Sequence, residues 1–211
     1  MERKVSWPLY LTAFVISAII FIAGIYVGTI LDTAQVGSLS SDVNSLSREL
    51  STVQVLMLSE EDPAFCPVYE EEFLKIDSER EKLGYELTYL EEQKNVNSPE
   101  LKKDYFILEA QSYFLAKKLQ EVCQDDSILV LYFYSNDDCP DCAQQGADIL
   151  SARDASSKNV LIYSFDGDLG SAMAEGFMTQ YNVTGYPSVV INGETHSSYI
   201  SPEELSAEFS K

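Results

Sequence analysis

Ile128-Leu129-Val130-Leu131-Tyr132-Phe133-Tyr134, then Ser135-Asn136-Asp137-Asp138, then Cys139-Pro140-Asp141-Cys142 is the stretch that decides the fold. An unbroken apolar run of this length reads as a buried strand. Ala143-Gln144-Gln145 opens an amphipathic segment directly after it. A buried strand, a short loop and two cysteines three apart at a helix start form the layout of a dithiol–disulfide redox site. Free N–H groups and the positive end of the helix dipole stabilise a thiolate there. Cys139 is the expected exposed nucleophile and Cys142 the less accessible resolving thiol. Half of a zinc site has the same spacing, but zinc needs two more ligands. His196 is the only histidine, expected on a solvent-facing strand position, so no metal and no cofactor is expected.

Downstream, strands and helices alternate. The helix after the cysteines should reach about Ala155. Val160-Leu161-Ile162-Tyr163-Ser164-Phe165 is a second buried strand, ended by Asp166-Gly167-Asp168. A helix from about Ser171 to Tyr181 follows. Ser188-Val189-Val190-Ile191 is a third strand, turned by Asn192-Gly193, a strong hairpin signal. A fourth strand runs from about Glu194 to Tyr199. Ser201-Pro202-Glu203-Glu204 caps a last helix. The order is βαβ, α, ββα.

This part of the chain, Ile128 to Lys211, resembles the thioredoxin superfamily. Two separated stretches carry the resemblance. One is the strand followed by Cys139-Pro140-Asp141-Cys142. The other is Tyr181-Asn182-Val183-Thr184-Gly185-Tyr186-Pro187-Ser188-Val189-Val190-Ile191-Asn192-Gly193, which looks like that family's proline loop, strand and hairpin turn. The resemblance implies that Pro187 is cis and packs beside the sulfurs. It also implies that the backbone of Tyr186 pairs with an extended substrate. Cys139 and Cys142 are then the catalytic pair, and Tyr186 and Pro187 the substrate-binding residues.

The sequence departs from thioredoxin itself. Asp138 replaces the family's tryptophan before the first cysteine. No acid lies within Ile128–Tyr134, where thioredoxin keeps a buried aspartate. Asp137, Asp138 and Asp141 crowd the dithiol instead. Negative neighbours disfavour a thiolate and oppose the helix dipole. This argues against a strong oxidant and leaves reductant and isomerase roles open.

Upstream, Arg3 and Lys4 precede an uncharged run from Val5 to Leu31, ended by Asp32. About 20 apolar residues span a bilayer, so residues 1–32 are read as an uncleaved transmembrane anchor. Basic residues before it and acidic ones after it place the N-terminus in the cytoplasm and the rest of the chain outside. Gly24 and Gly28 have the spacing that lets membrane helices pack closely. Val36, Leu39, Val43, Leu46, Leu50, Val53 and Met57 then step alternately by three and four, a heptad seam. Residues 33–62 are therefore read as a stalk helix. Two uses are open: a parallel homodimer, or packing against the helices that follow.

Residues 63–125 read as a helical hairpin. Glu60-Glu61-Asp62-Pro63 ends the stalk, and Pro67 opens a helix to about Lys94. Its buried face is Tyr69, Phe73, Ile76, Leu83, Leu87 and Leu90, interrupted by Arg80. Ser98-Pro99-Glu100 starts the next helix, with Ser98 as the expected cap, running to about Cys123. That helix is apolar on two sides and must pack on two partners. Cys66 and Cys123 are equidistant from the turn between Lys94 and Asn95. Residues so placed end up level, so a structural Cys66–Cys123 disulfide is natural. Exchange with the Cys139–Cys142 pair, or free thiols, remain alternatives. Residues 126–211 form the α/β domain.

The chain has 211 residues, 34 acidic against 14 basic, and a formal net charge of -20. That charge excludes nucleic acid as a partner, which requires basic patches. The expected function is membrane-anchored extracytoplasmic thiol–disulfide exchange with protein substrates and a redox partner. The alternative is a tethering subunit of a membrane complex that binds without catalysis.

Overall fold

In the computed structural model, residues 7–59 and 62–211 are described. Arg3 and Lys4, on which the expected sidedness rests, and Glu60-Glu61 lie outside the described residues. One helix, α1 (Trp7–Ser59), runs without interruption through both the apolar segment and the heptad segment. Its first part is long and apolar enough to cross a membrane, and its most apolar window is fully exposed. A short 3-10 turn, Pro63–Phe65, is capped by the Asp62 side chain, which accepts from the Ala64 N–H. Helices α2 (Cys66–Glu92) and α3 (Pro99–Cys123) follow. Ser98 precedes α3 without a capping side-chain hydrogen bond, so Pro99 and Glu100 carry the start signal alone.

The heptad seam is filled within one chain. Leu39, Val43, Leu46, Leu50 and Met57 are 0–4 % exposed, under α2 and α3. Ser47 donates to Gln111 on α3 at 2.6 Å, and Gln54 to the Gln111 carbonyl at 2.8 Å. Within one chain, the apolar positions of the seam thus face two neighbouring helices.

Partners across α2 and α3 stay level with one another. A disulfide joins Cys66 to Cys123, with Cα atoms 5.5 Å apart. Arg80 pairs with Glu109 at 2.8 Å, and the Ser112 hydroxyl donates to Asp77. All three pairs are equidistant from the turn beside Asn95, the antiparallel register in side-chain form. Arg80 does not interrupt the buried face. It is 4 % exposed and held between Asp77 and Glu109.

The C-terminal unit is a four-stranded sheet, ordered β2-β1-β3-β4, formed by β1 (Ile128–Tyr134), β2 (Val160–Asp166), β3 (Ser188–Ile191) and β4 (Glu194–His196). Strands β1 and β2 are parallel, and the other two neighbouring pairs are antiparallel. β4 is shorter than expected, ending at His196. That histidine is half-buried, with Nε2 enclosed, not solvent-facing. Alternation along β1 divides the core. Ile128, Val130 and Tyr132 face α4 (Cys142–Ala155) and α6 (Pro202–Glu208). Leu129, Leu131 and Phe133 face α3 and α5 (Ala172–Gln180).

The second layer of α3 is what joins the two halves. Phe106 meets Phe165 edge-on at 5.3 Å, and Tyr113 meets Tyr163 at 5.6 Å. One apolar cluster thus runs from the α1 seam through α2 and α3 to the sheet. A helix greasy on two sides finds its two partners here.

Candidate active site

The apolar residues of β1 bury the strand and so deliver its C-terminal end to a fixed place. The following loop is ordered from within: the Ser135 hydroxyl accepts from the Asp137 N–H at 3.1 Å. Cys139 and Cys142 are joined by a disulfide at the start of α4, with Cα atoms 5.4 Å apart. Cys142 is the first residue of that helix and is buried, while Cys139 is half-buried. Asp137, Asp138 and Asp141 are exposed around the pair. An attacking sulfur therefore has access to Cys139 and not to Cys142.

Tyr132, on β1, holds the helix start. Its hydroxyl donates to the Cys142 carbonyl at 2.5 Å. Gln145, one turn on and fully buried, bonds both the N–H and the carbonyl of Ile200. These contacts fix α4 against β1 and the start of α6.

The Tyr186–Pro187 peptide is cis. Ser188 is level with Phe133 of β1, so Pro187 stands at the same sheet end as the dithiol loop. Pro187 is buried and Tyr186 half-buried. The Tyr186 ring lies over Gly167 closely enough that a Cβ there would overlap it. Its hydroxyl is held protonated above the ordinary tyrosine range, first by burial and then by Asp168 and Asp166.

A buried ionic group sits beneath this end of the sheet. Lys102 of α3 pairs with Asp166 at 3.0 Å and with Glu91 of α2 at 3.1 Å. Asn136, three residues before Cys139, donates to the same Asp166 carboxylate at 2.8 Å. Burial alone would push the Lys102 pKa down, but Tyr134, Glu91 and Asp166 outweigh it and raise it. The lysine stays charged and fixes the acid that holds the loop. Sequence reading missed Lys102, Asn136 and Asp166 as parts of the site. Asp166 reads from the sequence only as the end of a strand. A signal was available, because Lys102 and Glu91 are nearly equidistant from the same turn as Cys66 and Cys123.

Residues 115–211 match the family model described as a thioredoxin-like domain. They are a thioredoxin-like domain. The match begins at Leu115, inside α3, so this helix belongs both to the α2 pairing and to the thioredoxin-like domain. No curated protein matches the chain. A solved structure described as that of a malarial protein is 18% identical, with a TM-score of 0.34. The likeness covers 39% of this chain and 93% of that one.

Proposed function

We propose that the chain is a membrane-anchored thiol–disulfide oxidoreductase whose working pair is Cys139 and Cys142. The single observation that carries this reading is the accessibility difference within a bonded pair: half-buried Cys139 beside buried Cys142 at the start of α4. In the reducing direction, a Cys139 thiolate attacks a substrate disulfide and one substrate sulfur leaves as a thiolate. Cys142 then attacks the Cys139 sulfur, releases the second substrate thiol and re-forms the internal disulfide. The oxidising direction is the reverse. The start of α4 stabilises negative charge on sulfur. The exposed acids around it favour neutral or basic extended segments as substrates, laid along the backbone of Tyr186 beside Pro187.

The anchor is the apolar part of α1. In this reading Arg3 and Lys4 keep the N-terminus in the cytoplasm and the dithiol works on the other side. Cys66–Cys123 is a structural brace. A Cys142→Ser variant tests the exchange reading: Cys139 should accumulate mixed disulfides with substrate proteins in native membranes. Their absence, with the variant folded, would turn the reading toward a tethering subunit.

A further inference from the structure

Helix α1 leaves its apolar segment at Asp32, and α2 folds back along it. Lys75 lies by Glu49, and Tyr69 by Leu56, so the two helices are antiparallel. Helix α3 then runs parallel to α1, with Gln111 level with Ser47 and Gln54. The turn between α2 and α3 therefore returns to the apolar end of α1; Val36 and Val96 each pack against the core cluster.

Strand β2 runs opposite to α3. Phe165 meets Phe106 and Tyr163 meets Tyr113, so the C-terminal end of the strand points to the start of α3. There Lys102 holds Asp166, and Asp166 holds Asn136 in the dithiol loop. The stalk does not lift the dithiol away from the apolar segment. The fold turns it back. Following these registers, Lys102 stands level with about residues 33–45 of α1, which at about 1.5 Å per residue is no more than about 20 Å past Asp32. The opposite end of the domain, where the chain passes from Cys123 to β1, is the far end.

We propose that the Cys139–Cys142 pair exchanges with a thiol pair or disulfide carried by a membrane-embedded protein, close to the bilayer surface, in preference to freely diffusing proteins. This rests on the exchange and anchor readings above. The exposed Asp137, Asp138 and Asp141 face the same side, so the partner's surface is neutral or basic rather than anionic lipid. Electrons balance within the two pairs. The reduced protein's Cys139 thiolate breaks the partner's S–S bond and forms a mixed disulfide. Cys142 then displaces the partner sulfur, which leaves as a thiolate and takes a proton from water. Two electrons have passed, and the Cys139–Cys142 bond has re-formed.

The test places full-length, pre-reduced protein in liposomes with synthetic transmembrane peptides. Each peptide carries one disulfide-bonded cysteine pair on a helical extension, about 15 Å or about 45 Å beyond its apolar segment. A third peptide carries the same disulfide without a membrane segment. At equal surface density the near probe should be reduced at least about tenfold faster than the far one. Inserting two heptads into α1 between Asp32 and Gln35, ahead of the buried seam, lifts the domain by about 21 Å. That variant should lose its preference for the near probe while reducing the soluble peptide at the original rate. Equal rates for near and far probes, or unchanged preference after the insertion, would overturn the membrane-facing inference alone. Failure to reduce even the soluble peptide would overturn the exchange reading and this inference with it.

Discussion

Lys102 on α3 and Asp166 at the end of β2 form a buried ion pair at 3.0 Å, and the same carboxylate holds Asn136 in the loop that leads to Cys139. The helical region thereby reaches the candidate site through two side chains. Removing one partner of a buried pair leaves an uncompensated charge, at a cost of about 3–5 kcal/mol. Lys102→Met should lower the unfolding free energy by an amount in that range. Lys102→Met with Asp166→Asn should recover a large part, because the carboxylate still left without its lysine, Glu91, is only partly buried. Denaturant unfolding of the full-length protein in detergent checks both variants. A single substitution no more harmful than the double would refute the pairing.

Gly167 lies under the Tyr186 ring, with no room for a methyl group. Gly167→Ala should destabilise the fold by about 1–3 kcal/mol, the usual range for overpacking. Adding Tyr186→Ala should relieve most of that loss, since the obstructing ring is gone. A double-mutant cycle by thermal unfolding reads the coupling. Additive effects would mean the two residues do not touch.

Cys66 and Cys123 close a loop of 57 residues in sequence separation. Chain entropy gives such a bridge about 4 kcal/mol. Cys66→Ser with Cys123→Ser should cost about 2–4 kcal/mol of stability and leave reduction of a small soluble disulfide unchanged. If that reduction stopped in a variant still folded by circular dichroism, the bridge would belong to the electron path.

Glu109 is buried on α3, with Arg80 on one oxygen and Oε2 without a donor, the nearby Tyr105 hydroxyl giving its proton to the Arg80 carbonyl instead. Burial pushes its carboxyl up to about 7, against the pull of Arg80. Asp77 and Arg80 face it from α2, and Tyr163 lies under Arg80 from β2. Between the ordinary glutamate value of 4.5 and about 7, the folded state holds a proton that the unfolded chain has released. Stability from this group therefore falls as pH rises across that window, by at most about 1.4 kcal/mol per pH unit. Glu109→Gln should remove the slope. The difference in unfolding free energy between wild type and variant, measured from pH 5 to 8, should decline to about pH 7 and then flatten. Parallel curves would contradict this assignment.

Much of the thioredoxin-like domain was legible because its signals are local. The run Ile128–Tyr134, the turn at Asn192-Gly193 and the box at Ser201 each act within a few residues. The heptad seam was legible as a seam but not as to its occupant. A period specifies an apolar stripe, and a second copy or two neighbouring helices cover it equally well. Arg80 looked like a defect for a related reason: its partner Glu109 is 29 residues away and becomes visible only through the hairpin register. The domain boundary at 126 falls between the end of α3 and the start of β1, yet the family match starts at Leu115, since α3 serves both sides. The return of the dithiol toward the apolar segment was the least legible feature. It follows from three successive helix and strand directions, none of which is written in any single stretch.

In the proposed function Cys139 and Cys142 form an exchanging pair and Cys66 and Cys123 do not. Equilibrating full-length protein in glutathione buffers of graded potential, then alkylating and mapping all four cysteines by mass spectrometry, tests it most directly. Cys139–Cys142 should open reversibly between about −120 and −270 mV, the span of thiol–disulfide catalysts, while Cys66–Cys123 should stay closed until below about −300 mV. A Cys139–Cys142 bond as resistant to reduction as Cys66–Cys123 would contradict this reading.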